Sequence, residues 1–436
     1  MDVYNLISFL GIFILIAFAW LLSADRRNFN IRLIAWAVVL QLLTAVFIFR
    51  VPAGSRVFLA VNEAVVNVLE SASEGARFVF GRLALPPGHT DASGNESIGP
   101  ILAFQAFPTI IFFSALISVL YYLRIMPVII RGFAWVFTRL MRVSGAESLV
   151  AASNIFVGVE SALAVKPYLG GMTRSEFCTV LTVGMATVAS NVLALYVFSL
   201  QDIFPAIAGH LVSASLLSAP AALAMSKILL PESDAPQTLG VRVRPYCETE
   251  ASLFEAVISG AHAGVKMTVG IVALLIAVLG LVALVNLLLG GVGGWINSLL
   301  GLTIDWSIET LFGWLFYPFV LIMGIPPTDA PHIARIIGER IVLTEVVSYQ
   351  DLAAAMRAGV FQSERSPVIA TYALCGFAHL ASMAIFVGGV SAIARERTRD
   401  IAAVAPRALL AATLACLMTA CVAGAVFSHA SILLGQ

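Results

Sequence analysis

Two glutamates lie inside strongly apolar stretches of this chain, where an ionised side chain is costly. Glu160 ends the stretch Asn154-Ile-Phe-Val-Gly-Val-Glu160, and Glu345 lies in Val342-Leu-Thr-Glu345-Val-Val. Each is followed by a hydrophobic segment that glycine or proline interrupts. A carboxylate at membrane depth needs a compensating partner or an aqueous cavity, and such residues mark solute and ion pathways. Two of them at corresponding places predict a transport site at the interface between two repeats.

Small and hydroxylated residues occupy the middle of two further apolar segments, 182–192 and 373–382. Unwinding near Gly184 and Gly376 would free carbonyl groups and helix ends for a ligand or a cation. The alternative is that these residues only let membrane helices pack closely. In the second segment His379 could bind a polar solute, relay a proton or bond a neighbouring carbonyl.

The composition makes lipid the solvent of this chain. Of its 436 residues 60% are hydrophobic and 11% charged, and the mean hydropathy is +0.97. These residues provide too little polar surface to cover a water-soluble globular protein. We therefore predict an all-α integral membrane protein. The formal net charge is zero, which argues against nucleic acid as a partner and leaves small solutes and lipid.

Eight apolar runs are long enough to cross a bilayer, on the expectation of roughly 20 residues per span. The first lacks the positive start and the cleavage pattern of a secretion signal, so we interpret it as a retained span. The predicted spans lie at about 1–22, 32–50, 101–123, 176–199, 203–230, 267–290, 367–391 and 405–428. Residues 51–100 are expected to form a surface helix and an exposed loop.

Two apolar regions, about 143–170 and 326–362, are too interrupted to make single crossings. Backbone at membrane depth must be hydrogen-bonded, so such segments survive only when they are buried in protein or line a cavity. We predict two re-entrant helical hairpins, one carrying Glu160 and the other Glu345. The two broken segments described above follow these hairpins and predict two broken helices.

The order of these segments predicts an inverted repeat. A span, a connector, a hairpin, a broken span and a final span occur over 101–230 and again over 267–436, after an N-terminal unit of 1–100. The intervening 231–266, which ends in Lys266, is predicted to be a cytoplasmic connector. The connector after the third span is basic, whereas 267–334 contains no Lys or Arg. This contrast indicates opposite topology, although the second connector could simply be a hydrophobic surface helix.

Basic residues also orient the whole chain. They follow the first and third spans, separate the fifth from the sixth and precede the last. If these loops are cytoplasmic, both termini lie on the extracytoplasmic side.

The chain resembles the concentrative nucleoside transporters over roughly residues 100–430. No single motif establishes the resemblance, which rests on the order and spacing of several motifs. These motifs are Ser144-Gly-Ala-Glu-Ser148, Asn154-Ile-Phe-Val-Gly158, Val165-Lys-Pro-Tyr168, Met172-Thr-Arg-Ser-Glu176, Leu230-Pro-Glu232, Gly338-Glu-Arg-Ile-Val-Leu-Thr-Glu345 and Ala373-Leu-Cys-Gly-Phe-Ala378.

The resemblance implies a homotrimer of eight-span protomers in the cytoplasmic (inner) membrane. Each protomer would be a secondary active symporter that imports nucleosides by an elevator-like movement of a transport domain. The positions implied to contact the substrate are Val159, Glu160, Val192, Glu345, Phe377, His379 and Ser382.

Two departures from the family pattern bear on substrate choice. The first hairpin reads Gly158-Val159-Glu160, one residue shorter than the family's Gly-Gln-Thr-Glu and without its base-contacting glutamine. His379 stands where the family usually has asparagine. A site built to pair one polar edge rejects ligands without it, so both changes could alter which base is accepted.

In sodium-coupled members of the family the ion lies between the first hairpin and the first broken helix. The corresponding positions here are Asn154, Val157, Thr187 and Val188. Amide, hydroxyl and carbonyl oxygens suit a hard cation, so we expect sodium as the coupling ion and no other cofactor. Proton coupling is the alternative, because Glu160, Glu345 and His379 can titrate.

Two other classes of function are less consistent with the sequence. An intramembrane enzyme would need a chemical motif, and the chain has no metal-ligand spacing, phosphate-cradling loop or nucleophile elbow. We therefore do not expect an enzyme. A channel built on the same scaffold is the remaining alternative.

Overall fold

A computed structural model of the chain describes residues 2–86, 89–90, 94, 96–99, 101–241, 243–246 and 250–428. These residues form seventeen α-helices and no β-strand. In chain order the helices are α1 (Val3–Leu21), α2 (Ile31–Arg50), α3 (Pro52–Phe80), α4 (Leu102–Gln105), α5 (Phe107–Tyr122), α6 (Ile125–Met141), α7 (Gly145–Asn154), α8 (Arg174–Ala186), α9 (Ser190–Leu200), α10 (Ile207–Leu229), α11 (Leu253–Leu300), α12 (Ile308–Ile322), α13 (Ala330–Arg340), α14 (Glu345–Arg357), α15 (Arg365–Leu374), α16 (Leu380–Ile393) and α17 (Thr398–Val426).

The eight predicted spans correspond to two kinds of element. Six are helices or helix pairs that are long and apolar enough to cross a membrane, namely α1, α2, α4–α5, α10, α11 and the segment ending in α17. The other two spans are each divided in the middle, into α8 and α9 and into α15 and α16. The predicted all-α membrane fold with two broken helices is therefore confirmed.

Both predicted hairpins are present as a helix, a tight turn and a returning arm. In the first, α7 is followed by a turn and by a 3₁₀ arm, Val159–Gly171. In the second, α13 turns at Ile341–Thr344 and returns as α14. Each hairpin therefore places its predicted glutamate at the start of the returning arm, next to the turn.

Two of the family-like motifs are capping boxes that start helices next to the first hairpin. The Ser144 hydroxyl accepts from the Glu147 N–H at 3.2 Å, and the Glu147 carboxylate accepts from the Ser144 N–H at 3.1 Å. Thr173 and Glu176 exchange the same pair of bonds at 3.0 and 2.9 Å. Such a box satisfies two of the donors that a helix N-terminus leaves free, so it fixes where α7 and α8 begin.

The same order of elements occurs twice. The first series is α5, α6, a hairpin, α8–α9 and α10, and the second is α11, α12, a hairpin, α15–α16 and α17. The amphipathic α3 lies where a surface helix was predicted, whereas part of the loop predicted after it falls outside the described residues.

One boundary differs from the sequence-based expectation. Helix α11 begins at Leu253, so residues 253–266 of the predicted connector are helical and continuous with the sixth span. Its start is fixed by Ser252, whose hydroxyl accepts from the Glu255 N–H at 3.1 Å. With 48 residues the helix is about 72 Å long, more than twice the roughly 30 Å of a bilayer core.

A buried lysine joins the base of the first hairpin to the neighbouring helices. The Lys227 ammonium on α10 lies 2.6 Å from Glu147 Oε1 and 3.0 Å from Glu232 Oε2. It also donates to the Ser175 hydroxyl on α8 at 2.9 Å. Because Lys227 and Glu147 are both almost fully enclosed, this contact replaces the water that either charge would otherwise need.

A second buried cation holds the first helix against the rest of the bundle. Arg365 is 2% exposed. Its guanidinium donates to Gly324 O at 2.8 Å, to Ser8 Oγ at 2.6 Å, to Gly424 O at 2.7 Å and to Tyr4 O at 3.0 Å, and it also bonds the Asn5 side chain. Planar guanidinium groups suit several fixed acceptors, so this one residue fixes α1 against α15 and α17.

Candidate functional site

A cavity of about 530 Å³ lies where the two hairpins and the two broken helices meet. Six of the seven predicted substrate positions line it, and they come from both halves of the chain. They are Glu160, Val192, Glu345, Phe377, His379 and Ser382. The side chain of the seventh, Val159, lies outside what the structure describes.

Each hairpin turn contacts a helix break. A Cβ added at Gly158 would lie 3.0 Å from the Ala189 Cβ, which places the first turn directly against the break between α8 and α9. The second turn is hydrogen-bonded to the other broken helix, because the Leu380 N–H donates to Ile341 O at 3.1 Å. The glutamates beside the turns are thereby fixed relative to the breaks.

The first break lies three residues after the predicted glycine. Residues 187–189 are not helical, with Thr187 and Ala189 extended, whereas Gly184 is still helical. A Cβ at Gly184 would overlap the Phe386 ring of α16. The helix is thus interrupted near Gly184 as predicted, but Gly184 itself stays helical and leaves room for an aromatic ring.

The second break includes the predicted glycine. Gly376 lies between α15 and α16, and a Cβ there would be 2.5 Å from Cys416 Sγ and 2.8 Å from the Ala186 backbone. The two breaks therefore pack against each other with no space for a side chain.

This packing gives a test by substitution. We expect Gly376→Ala to cost about 1–3 kcal/mol of stability, because the backbone of Ala186 must move, and to lower uptake per assembled protein. Gly388→Ala is the matched control, since it lies on α16 with nothing within 4 Å of an added Cβ. Thermal unfolding and uptake measured on both variants check the prediction, and equal behaviour of the two would contradict it.

Each oxygen of Glu345 is close to one protein side chain, but only Oε1 accepts a hydrogen bond from the described residues. The Tyr196 hydroxyl of α9 donates to Oε1 at 2.7 Å, and His379 Nε2 lies 2.7 Å from Oε2. All three side chains are buried, and the Tyr196 ring stacks on Tyr349 at 4.6 Å between centroids. As the first residue of α14, Glu345 also places its charge at the favourable end of a helix dipole.

His379 is the N-cap of α16, and this role fixes its tautomer. Nδ1 accepts from the Ser382 N–H at 3.2 Å, so the proton of the neutral ring is assigned to Nε2. Nε2 faces Glu345 and also lies 2.6 Å from the Ser382 hydroxyl. An asparagine side chain could cap the same helix through its oxygen and donate through its nitrogen, which explains physically how histidine replaces the residue usual in the family.

Glu160 is exposed to the cavity rather than enclosed by protein. It also lines a smaller neighbouring cavity of about 240 Å³, which continues to Tyr121, Tyr246 and Glu250. Lys266 lines the larger cavity from α11. The last residue of the predicted connector therefore reaches the site, because α11 extends past Lys266 in both directions.

The four predicted cation ligands are buried and lie on the facing turn and break. With its amide nitrogen toward the turn, Asn154 donates to Val157 O at 2.7 Å and to Gly158 O at 3.1 Å. Its oxygen then accepts from Gly184 N and Ser161 Oγ at 3.1 and 3.0 Å. Turned over, the amide oxygen would face two carbonyl oxygens, an arrangement that a hard cation between them would stabilise.

The remaining ligand positions fit the same chemistry. The Thr187 hydroxyl uses its proton on Val183 O at 2.9 Å, so its lone pairs remain for another partner. Residues 187–189 are not helical, which leaves the Val188 carbonyl outside any helical hydrogen-bond ladder. The donor set of amide, hydroxyl and carbonyl oxygens suits sodium.

Sequence-family profiles cover most of the chain. The profile "Na+ dependent nucleoside transporter N-terminus" matches residues 10–83, "Nucleoside recognition" matches 103–203 and "Na+ dependent nucleoside transporter C-terminus" matches 210–424. The chain is also 36% identical over 424 residues to the nucleoside permease NupC of Helicobacter pylori, covering 96% of this chain and 97% of that protein. The chain belongs to the concentrative nucleoside transporter family.

Other relatives and solved structures agree with the family. The chain is 38% identical over 434 residues to solute carrier family 28 member 3 of Mus musculus, but it spans only 58% of that protein's length. It superposes on the inward-facing substrate-bound state of CNTnw with a TM-score of 0.86 and 34% identity, covering 97% of this chain and 98% of that chain. The superposition on an outward-facing CNTnw variant has a TM-score of 0.86 at 33% sequence identity and covers 98% of each chain. Within the family this chain is thus a membrane transporter and not an enzyme.

Sequence reasoning missed three polar residues of this concentrative nucleoside transporter's cavity region. Tyr196 lies one helical turn after Val192, on the same face of α9, and that spacing was its available signal. Thr344 directly precedes Glu345 and lines the cavity, and Lys266 does so from α11. The local sequence does not distinguish Thr344 from an ordinary helix cap, or Lys266 from a cation at the membrane interface.

Proposed function

We propose that this chain is a secondary active symporter that imports nucleosides, driven by a sodium gradient. The observation that carries the proposal is the convergence of Glu160 and Glu345, one from each hairpin, on a single cavity beside the oxygen atoms that surround Asn154. Its volume of about 530 Å³ is in the range of pockets that enclose small organic ligands.

The lining matches the two parts of a nucleoside. Carboxylates accept strongly from sugar hydroxyls, and Glu345 is already oriented by Tyr196 and His379. Phe377 and Val192 offer an aromatic and an apolar surface for the base. In our proposal Val159, Glu160 and Ser382 complete the contacts with the substrate.

Coupling follows from the position of the first turn. We place sodium at Asn154, Val157, Thr187 and Val188, where it would hold the turn against the break. Gly158 belongs to that turn, and a Cβ there would lie 3.5 Å from Glu160 Oε2. A cation that orders the turn therefore also orients Glu160, and each ligand then binds the ordered state better than the disordered one.

The two-fold series of elements suggests how access alternates. We propose that 101–230 and 267–436 are inverted repeats, that 1–100 comprises N-terminal spans and an interfacial segment, and that 231–266 is a cytoplasmic connector. The hairpins and broken helices would move past α5 and α11 as an elevator. Similar TM-scores to inward- and outward-facing CNTnw structures support one fold that is compatible with both states.

The proposed setting is a homotrimer in the cytoplasmic (inner) membrane, with both termini on the extracytoplasmic side. Helix α11 is strongly apolar, yet only 6% of an apolar 18-residue stretch of it is buried within one chain. Lipid and other copies of the chain would cover such a surface. The basic residues 124–142 and 395–399 support the orientation.

A proton is the second candidate for the coupling ion, because His379 and Glu345 form a buried pair within the cavity. Proton entry at this pair would change the charge that faces the solute.

Uptake into proteoliposomes, with sodium and pH gradients imposed separately, tests the proposal. We expect sodium-driven accumulation of a nucleoside and counterflow that saturates with substrate. Thr187→Val should raise the sodium concentration for half-maximal uptake about tenfold, because one oxygen ligand is lost, whereas Thr187→Ser should stay near the wild-type value. Accumulation driven by pH alone would instead assign the proton, and flux without counterflow would indicate a channel.

A further inference from the structure

Among the described residues that line the cavity, two buried polar atoms lack a hydrogen bond, the Thr344 hydroxyl and Glu345 Oε2. The residue Thr344 is 4% exposed, and its hydroxyl has no partner among the residues that the structure describes. It lines the same cavity as Glu345. A buried hydroxyl without a partner is unfavourable, so it usually has a ligand or water to bind.

The position of Thr344 in the second hairpin indicates what its hydroxyl is available to bind. Thr344 is the N-cap of α14, where a threonine oxygen ordinarily accepts a hydrogen bond from the first helical turn. Here the side chain makes no such bond, while its carbonyl accepts from the Ser348 N–H at 3.3 Å and from the Ser348 hydroxyl. The hydroxyl is therefore free to serve the cavity rather than the helix.

The neighbouring polar groups contact other side chains, although Glu345 Oε2 has no hydrogen bond among the described residues. Tyr196 and His379 each approach one oxygen of Glu345, and the Ser382 hydroxyl lies 2.6 Å from His379. Each carboxylate oxygen retains a lone pair, so Glu345 can still accept from one solute hydroxyl. The hydroxyl of Thr344 can both donate and accept a hydrogen bond, so it can bind a second hydroxyl of the solute.

We propose that Thr344 is a substrate-binding residue and that Thr344 and Glu345 together recognise two adjacent hydroxyls of the solute, as in the 2′,3′-diol of a ribonucleoside. The two residues are consecutive at the turn of the second hairpin, so they can reach neighbouring hydroxyls on one ring. This inference rests on the proposed transport of nucleosides and adds the part of the substrate that the second hairpin selects.

The experiment pairs one substitution with substrate analogues. Uptake KM is measured for a ribonucleoside and for its 2′-deoxy and 3′-deoxy forms, with wild-type protein, Thr344→Val and Thr344→Ser. We expect Thr344→Val to raise the ribonucleoside KM about tenfold, the effect of one lost hydrogen bond. The same change should leave the KM of one deoxynucleoside within about twofold, because that analogue lacks the hydroxyl Thr344 binds. Thr344→Ser should restore the wild-type pattern.

Matched controls separate a contact from a structural effect. Thr413→Val removes another buried threonine hydroxyl, which donates to Leu409 O within α17, and should leave all three KM values unchanged. If Thr344→Val does not assemble, Thr344→Ala gives the same comparison. An equal change for all three nucleosides, or no change, would overturn the role of Thr344. Wild-type protein that accumulates no nucleoside would instead overturn the proposed function.

Discussion

Replacing Glu345 with glutamine should lower sodium-driven nucleoside uptake about 100-fold or more while the protein still assembles. The wild-type carboxylate accepts from Tyr196 on one oxygen and approaches His379 Nε2 on the other. A glutamine amide offers one acceptor and two donors, so one of these partners would face another donor. A charge-assisted hydrogen bond contributes about 1.5–3 kcal/mol, and this change removes the charge from the Tyr196 bond as well as from the His379 contact.

The measurement is initial uptake and counterflow at matched amounts of reconstituted protein. Glu63→Gln, an exposed glutamate on α3, is the control and should transport normally. Size-exclusion profiles of both variants should match that of the wild type. Normal accumulation by Glu345→Gln would refute the assignment of Glu345 to the substrate site.

Replacing Lys227 with methionine should have the largest effect on stability. The ammonium lies within 2.6–3.0 Å of Glu147, Glu232 and Ser175, and Glu147 would be left buried without its cation. Breaking such a pair on one side typically costs about 3–5 kcal/mol. We expect the melting temperature to fall on the order of 5 °C or more.

A double substitution distinguishes pairing from simple loss of packing. Glu147→Gln keeps an oxygen for the Ser144 cap, so Lys227→Met with Glu147→Gln should recover part of the lost stability. Lys266→Met, an exposed position on α11, should leave the melting temperature near the wild-type value. If the double variant is no more stable than Lys227→Met alone, the two charges are not coupled as described.

The hairpins and broken helices could be predicted because their sequences conflict with a single crossing. Turn and polar residues inside an apolar run leave few options for backbone at membrane depth. The exact residues of the first break could not be predicted, since glycine serves two purposes. Gly184 stays helical and accepts the Phe386 ring, whereas Gly376 lies in a break and packs on Ala186. Only the contacts with the facing helix distinguish a glycine that packs within a helix from one that lies in a break.

The site was predictable to the extent that charge marks it. Glu160 and Glu345 are conspicuous in apolar sequence, and both line the cavity. Tyrosine and threonine are common in membrane helices, so the sequence does not mark Tyr196 or Thr344 as unusual. Their roles depend on contacts with other elements. The place of Lys266 was missed because hydropathy does not show how far a helix extends beyond its apolar centre.

The double duty of His379 limits how this pocket could be redesigned. Its ring caps α16 through Nδ1 and faces Glu345 through Nε2. An apolar replacement would fray the helix as well as empty one side of the pocket, whereas aspartate would keep the cap and place a second negative charge beside Glu345. Changes of substrate selectivity are therefore better sought at neighbouring positions than at this one, where recognition cannot be altered separately from helix folding.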